Sequence, residues 1–150
     1  MGIIVVGLDG SAASRAALVW ARSEAKLRGS TLRAVHAWML PAVGAAEAPW
    51  ALLPPGSYLD VSGDEIEQAS AEALEREIDE TAEGSDVTIE RFVQEGPAAD
   101  VIVDASKDAE LIVVGTRGRG AIATLVLGST SHHVVQHAHC PVVVVPAPAA

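Results

Sequence analysis

Five apolar runs of strand length alternate along the chain with segments of helical composition, and no other feature restricts the fold as much. The runs Ile3–Leu8, Thr31–Met39, Val87–Val93, Leu111–Gly115 and Pro141–Val145 read as strands. Between the first two, a helix is expected over Ala12–Arg28, with Ser11 as N-cap, Leu18, Ala21 and Ala25 on one face, and Gly29 as the stop. A second helix opens at Ser62-Gly63-Asp64-Glu65, which has the spacing of a capping box, and runs to about Glu83. Its apolar face starts with Ile66, Ala69 and Ala73 and widens through Leu74 and Ile78. A third helix follows Gly96-Pro97, with the proline in its first turn and Val101, Ile102 and Ala105 inward, and a fourth covers Ser129–His137. Strict alternation of this kind predicts βαβ units with right-handed crossovers. The expected fold is therefore α/β, an open, doubly wound, five-stranded parallel sheet of Rossmann-like type with helices on both faces.

The 150 residues suit one domain over 1–150, large enough to bury roughly two-thirds of the surface its unfolded chain exposes. With three Trp, one Tyr and one Phe, the core must be made from Val, Ile, Leu and Ala, as strands buried on both faces require. A net charge of -10 sets the chain against the phosphates of nucleic acid. A small anion answers to local donors instead, and the acidic run Glu65, Glu67, Glu72, Glu75, Glu77, Asp79, Glu80 and Glu83 reads as a solvated helix face. The lone Cys140 excludes an internal disulfide and reads as a small apolar residue in a reducing compartment. Ile3–Leu8 is too short for a signal and no apolar run is of membrane-spanning length, so the expected location is the cytoplasm. Residues 40–63, with Pro41, Pro49, Pro54 and Pro55, read as a long surface loop.

Ligands of doubly wound sheets bind beyond the carboxyl ends of the strands, where the strand order reverses. In the order 3-2-1-4-5, the turns after strands one and four face one crevice. The turn after strand four runs from Gly115 to Ser129 and holds Thr116, Arg117, Gly118, Arg119, Gly120 and Gly128. Glycines there let backbone N–H groups approach phosphate oxygens. Gly128-Ser129-Thr130-Ser131 opens a helix whose N-terminus favours anions, and Thr116, Ser129, Thr130 and Ser131 add hydroxyl donors. Arg117 and Arg119 are two of only ten Lys and Arg residues. The whole suits a polyphosphate. A P-loop is excluded, because no lysine follows Lys107. Gly118 to Ala123 matches a GxGxxA dinucleotide fingerprint, but no acidic residue lies beyond Glu110 to hold a ribose.

The chain resembles the universal stress protein family over essentially its whole length. The resemblance rests on Val5-Val6-Gly7-Leu8-Asp9-Gly10-Ser11, on Gly96-Pro97, on Asp108 through Gly115 and on His139-Cys140-Pro141 with the four valines after it. Its most specific part is the pattern G-x2-G-x9-G-(S/T), met by Gly115, Gly118, Gly128 and Ser129. Leu8 stands where many members have a smaller or β-branched residue. The resemblance implies the strand order 3-2-1-4-5, membership of the ATP-binding subgroup, ATP as ligand with or without Mg2+, and frequent homodimers. By position it implies that Asp9 hydrogen-bonds the adenine and that Gly7 and Ala37 line its pocket. Gly115 and Gly118 would approach the ribose and phosphates, and Gly128, Ser129 and Thr130 would bind the phosphates.

Plainer readings stand beside these. Asp9 also suits a turn or cap, and the arginines suit an exposed surface. His133 and His137 share a helix face but lack a third metal ligand, so no metal is expected; Trp20, Trp38 and Trp50 read as packing residues. Pro141–Val145 is an apolar strand expected at a sheet edge, which pairing with a second copy would cover. Together the features point to an ATP-binding stress-response sensor or adaptor, without membrane or nucleic-acid partners and without a nucleophile–base pair for a dedicated enzyme. The alternatives are a nucleotide-free dimeric interaction module and a slow ATPase.

Overall fold

The computed structural model describes residues 2–39, 62–81, 86–116 and 127–148. These form β1 (Ile3–Gly7), α1 (Ala12–Arg28), β2 (Thr31–Trp38), α2 (Gly63–Glu80), β3 (Ile89–Glu95), α3 (Ala98–Ala105), β4 (Leu111–Gly115), α4 (Ser129–His137) and β5 (Val142–Val145). All five strands join one parallel sheet in the order β3-β2-β1-β4-β5, as expected.

Alternation of side chains along each strand divides the core between the two faces. Ile4, Val6 and Leu8, with Leu32, Ala34, Leu111 and Val113, pack against Ala17, Leu18, Ala21 and Ala25 of α1 and Leu74 and Ile78 of α2. Val5, Val35, Ile112 and Val114 pack on the other face against Val101, Ile102 and Ala105 of α3 and Val134 of α4. β1 and β4 are thus apolar along their whole length because both of their faces are covered. Ser11 caps α1, left-handed Gly29 ends it, and the Ser62–Glu65 capping box opens α2.

Several details differ from the sequence expectation, each for a physical reason. β3 begins at Ile89 and continues to Glu95, because its partner β2 carries the ladder past the apolar alternation as far as Trp38↔Glu95. Pro97 is the N-cap of α3, one position ahead of the first turn. The buried face of α2 is Ile66, Ser70, Leu74, Glu77 and Ile78, a row at four-residue spacing that leaves Ala69 exposed. Glu77 therefore departs from the solvated acidic face. Arg22 of α1 is also buried and donates from Nη1 to the Thr81 carbonyl at 2.8 Å and from Nη2 to that of Ile78 at 3.3 Å. The last turn of α2 has no basic residue of its own, and Arg22 supplies the cation its carbonyls favour. Burial lowers the Arg22 pKa from its ordinary value, against the opposing pull of Asp79. Trp38 is a packing residue, whereas Trp20 is 37% exposed, because the neighbouring Ala17, Leu18 and Ala21 take the inward positions of α1. Trp50, Glu83 and the expected loop over 40–61 lie outside the described residues; Ser62 and Gly63 belong to the start of α2.

At the amino-terminal end of the sheet, Arg33 of β2 gathers its neighbours. It donates to Glu90 of β3 at 2.8 Å, to the Ala105 carbonyl at 2.7 Å and to Asp108 ahead of β4 at 2.8 Å. The hydrogen bond from Arg33 holds the Asp108 carboxyl below its ordinary pKa, and the Arg33 pKa is raised in return. A carboxylate whose pKa is depressed by folding stabilises fully above its unfolded pKa, and that contribution is lost as pH falls through the folded value. Urea denaturation should therefore find Asp108→Asn less stable than the wild type at pH 7, by a small amount given the exposure of the group. The difference should close on acidification below the ordinary aspartate range; a difference that widened in acid would contradict this account.

Candidate functional site

β1 pairs with β4 through Ile4↔Leu111, Val5↔Ile112 and Val6↔Val113, so the two strands end side by side at the point where the strand order reverses. The turn after β1 is built from its own polar groups. Asp9 Oδ1 accepts from the Ser11 amide at 2.9 Å, which is an Asx turn. Gly10 completes it at φ 81°, a left-handed conformation that favours glycine. Ser11 Oγ accepts from the Ser14 amide at 3.1 Å and so caps α1. The Ser14 hydroxyl, buried under the first turn, donates to the Ser11 carbonyl and accepts from the Asp9 amide at 3.3 Å. From β2, His36 Nδ1 reaches the Leu8 carbonyl at 3.0 Å. A carbonyl only accepts, so the imidazole carries its proton on Nδ1.

The turn after β4 is tied at its base. The Thr116 amide donates to the Val145 carbonyl at 2.9 Å and carries the β4–β5 ladder one residue further. The Thr116 carbonyl accepts from the Gly128 amide at 2.6 Å and from Ser131 Oγ at 3.0 Å, and Ser131 Oγ also lies 3.1 Å from the Gly128 carbonyl. The chain thus leaves at Thr116 and returns to the same point at Gly128. Arg117, Gly118, Arg119 and Gly120 lie outside the described residues. Ser131 is buried and its hydroxyl proton serves these carbonyls, which makes it a strut of the loop base. Ser129 is exposed, Thr130 half-buried, and no side-chain hydrogen bond caps the start of α4. Neither α1 nor α4 has an acidic residue in its first turn, and at α1 the Asp9 carboxylate lies just ahead of the helix on the Ser11 amide.

Two expected site glycines have packing reasons of their own. A Cβ on Gly115 would stand 2.7 Å from the Ala13 Cβ and 2.8 Å from the Ala13 carbonyl carbon, because α1 starts directly over the end of β4. A Cβ on Gly7 would meet Ile102 Cδ1 of α3 at 2.6 Å, and Ala37 packs partly buried against the same cluster. Gly7, Asp9, Ala37, Gly115, Thr116, Gly128, Ser129, Thr130 and Ser131 all gather at the carboxyl end of the sheet. His36, Ser14 and Gly10 join them without having been marked as site residues. The available signals were a histidine inside an apolar strand and a serine on the buried stripe of an alanine-rich helix.

Away from this end, the rings of His133 and His137 stack at 4.1 Å, and His133 Nε2 lies 3.2 Å from Asp100 Oδ1. Among the described residues, no group of three or more His, Cys, Asp and Glu could hold a metal ion. Cys140 is half-buried, and burial pushes its thiol pKa up. No helix of the described residues is long and apolar enough to cross a membrane.

The model of the universal stress protein family matches residues 1–146. A universal stress protein of Mycobacterium tuberculosis strain H37Rv is 35% identical over 156 residues, which cover 95% of this chain and 47% of the relative. The chain spans about half the length of the curated relatives it matches. Among solved structures, the universal stress protein UspA of Lactobacillus plantarum is similar at a TM-score of 0.74 and 26% identity, over 96% of this chain and 97% of that one. The universal stress protein of Archaeoglobus fulgidus in complex with dAMP shares the fold at a TM-score of 0.61 and 21% identity, over 97% of each chain.

The Gly115 contact predicts that Gly115→Ala destabilises the protein by about 1–3 kcal/mol, because the clash is with backbone that can yield only by moving α1. Urea denaturation in the absence of nucleotide measures this directly. An unchanged midpoint would show that α1 does not need the close approach.

Proposed function

The chain belongs to the universal stress protein family, and we propose that it is an ATP-binding member in which the bound nucleotide acts as the signal of a cytoplasmic stress-response sensor or adaptor. The observation that carries this reading is the convergence of two turns at the β1–β4 reversal. One holds Asp9 on an Asx turn; the other is a loop tied at Thr116 and Gly128, inside the pattern Gly115-x2-Gly118-x9-Gly128-Ser129. A carboxylate has about four lone-pair sites, so Asp9 can accept from Ser11 and still take the exocyclic amine of adenine. The resemblance to the family implies that Gly7 and Ala37 line the adenine pocket beside it. The start of α4, with Ser129 and Thr130, supplies N–H groups, hydroxyls and dipole for phosphates, and Arg117 and Arg119 add charge. Mg2+ would neutralise part of the phosphate charge. The dAMP complex of the Archaeoglobus protein supports adenine and phosphate as the shared chemistry. No residue is assigned to catalysis.

The nucleotide carried by the purified protein tests this reading. Denaturation and anion-exchange chromatography of the supernatant should release ATP, and titration of the emptied protein should give a heat of binding. Neither nucleotide nor heat would favour the nucleotide-free module; ADP with measurable turnover would favour a slow ATPase. Gly128 has φ -73°, which any residue adopts, so Gly128→Val should keep the fold while binding falls by at least about 10-fold. Unchanged affinity in that variant would place the phosphates elsewhere.

We also propose a homodimer through β5, which among the described residues pairs only with β4 and whose four valines are each half-buried. Light scattering should give twice the monomer mass at micromolar concentration; a monomer there would reject the dimer.

A further inference from the structure

We infer that His36 and Ser14 are positioning residues for Asp9. They grip, from two different elements, the single peptide group that precedes it. This inference deepens the nucleotide reading above and rests on it for its consequence. The Leu8–Asp9 peptide is the first after the β1–β2 ladder, whose last rung is the Leu8 amide to the Val35 carbonyl at 2.9 Å. Its carbonyl accepts from His36 Nδ1 of β2 at 3.0 Å, and its amide donates to Ser14 Oγ of α1 at 3.3 Å. A peptide group is planar, so fixing both of its polar ends fixes the plane. Asp9 then keeps one soft backbone angle ahead of its Cα, and its carboxylate is held in turn by the Ser11 amide at 2.9 Å.

Each of the two residues has the chemistry that this task needs. His36 is a polar, half-buried side chain in an otherwise apolar stretch of β2, and its Nδ1 has a carbonyl partner that demands a donor. Ser14 is 3% exposed, and its hydroxyl joins the Ser11 carbonyl to the Asp9 amide, so the start of α1 and the end of β1 move as one piece. A carboxylate placed in advance loses less freedom when it meets a ligand, which raises affinity without adding a contact. His36 and Ser14 would thus set how tightly adenine is held while touching no ligand atom themselves.

Amide hydrogen exchange by NMR on the nucleotide-free protein tests the placement. The Asp9 amide should exchange about 3- to 10-fold faster in His36→Leu and in Ser14→Ala, while the Leu8 amide, bonded to Val35, stays protected. His36→Asn puts an amide donor close to the Nδ1 position and should restore protection. Ser14→Ala removes one oxygen and keeps the result readable should His36→Leu fold poorly. Unchanged Asp9 exchange in both His36→Leu and Ser14→Ala would overturn the inference. With ATP, Kd should rise about 3- to 10-fold in both variants, return toward wild type in His36→Asn, and show no further loss when either change is added to Asp9→Ala. Wild-type affinity in variants with loosened Asp9 would also overturn it. Faster Asp9 exchange in the two variants, together with a wild type that binds no adenine nucleotide, would remove the nucleotide reading and leave the placement of Asp9 supported.

Discussion

The rest of the structure depends on the burial of β1 and β4 on both faces. Neither strand can be an edge, since each is apolar on both sides, and the sheet meets this by placing them next to each other at its centre. Adjacency has a second consequence. The chain leaves β1 toward the face covered by α1 and α2, and leaves β4 toward the face covered by α3 and α4. The two turns therefore start side by side at the reversal and lead to opposite faces of the sheet, the place where doubly wound sheets take their ligands.

Charge is distributed to match. Several of the cations are paired far from the reversal: Arg33 with Glu90 and Asp108, Arg91 with Glu75, Arg28 with Glu24 and Lys107 with Asp104. Arg22 is buried against the end of α2, where the carbonyls of Ile78 and Thr81 use it. At the reversal itself the start of α4 presents backbone N–H groups and a helix dipole with no acidic residue in its first turn. An acidic protein can in this way present a locally favourable end to an anion, because dipoles and N–H groups act over short range while net charge is screened.

Much of the fold was legible in the sequence because it depends on patterns that repeat. Buried parallel strands have to be continuous apolar runs, and helices have to carry stripes and caps; Ser11, Gly29, Ser62 and Glu65 have their expected roles. What was not legible depends on partners distant in sequence. The extension of β3 to Glu95 comes from the ladder with β2, and the burial of Arg22 goes with its bonds to the last carbonyls of α2. The same holds at the site. Asp9 and Gly128 sit in motifs that can be read along the chain, whereas His36 and Ser14 gain their roles only when β2 and α1 meet the end of β1. A histidine in an apolar strand and a serine on a buried helix stripe are local signals, but neither says which group it will meet.

The glycine pattern carries two kinds of information that the structure separates. Gly115 is required by the protein itself, since α1 begins so close to β4 that any side chain would press on Ala13. A chain of this fold that bound nothing would still need it. Gly128 differs: its backbone, at φ -73° and ψ 170°, is ordinary extended chain, and its amide is already taken by Thr116. Nothing in its own conformation calls for glycine. It stands at the start of α4, where the helix lacks a side-chain cap. Gly115 is thus the member of the pattern that the fold itself requires, whereas the reason for a glycine at 128 rests on the proposed nucleotide.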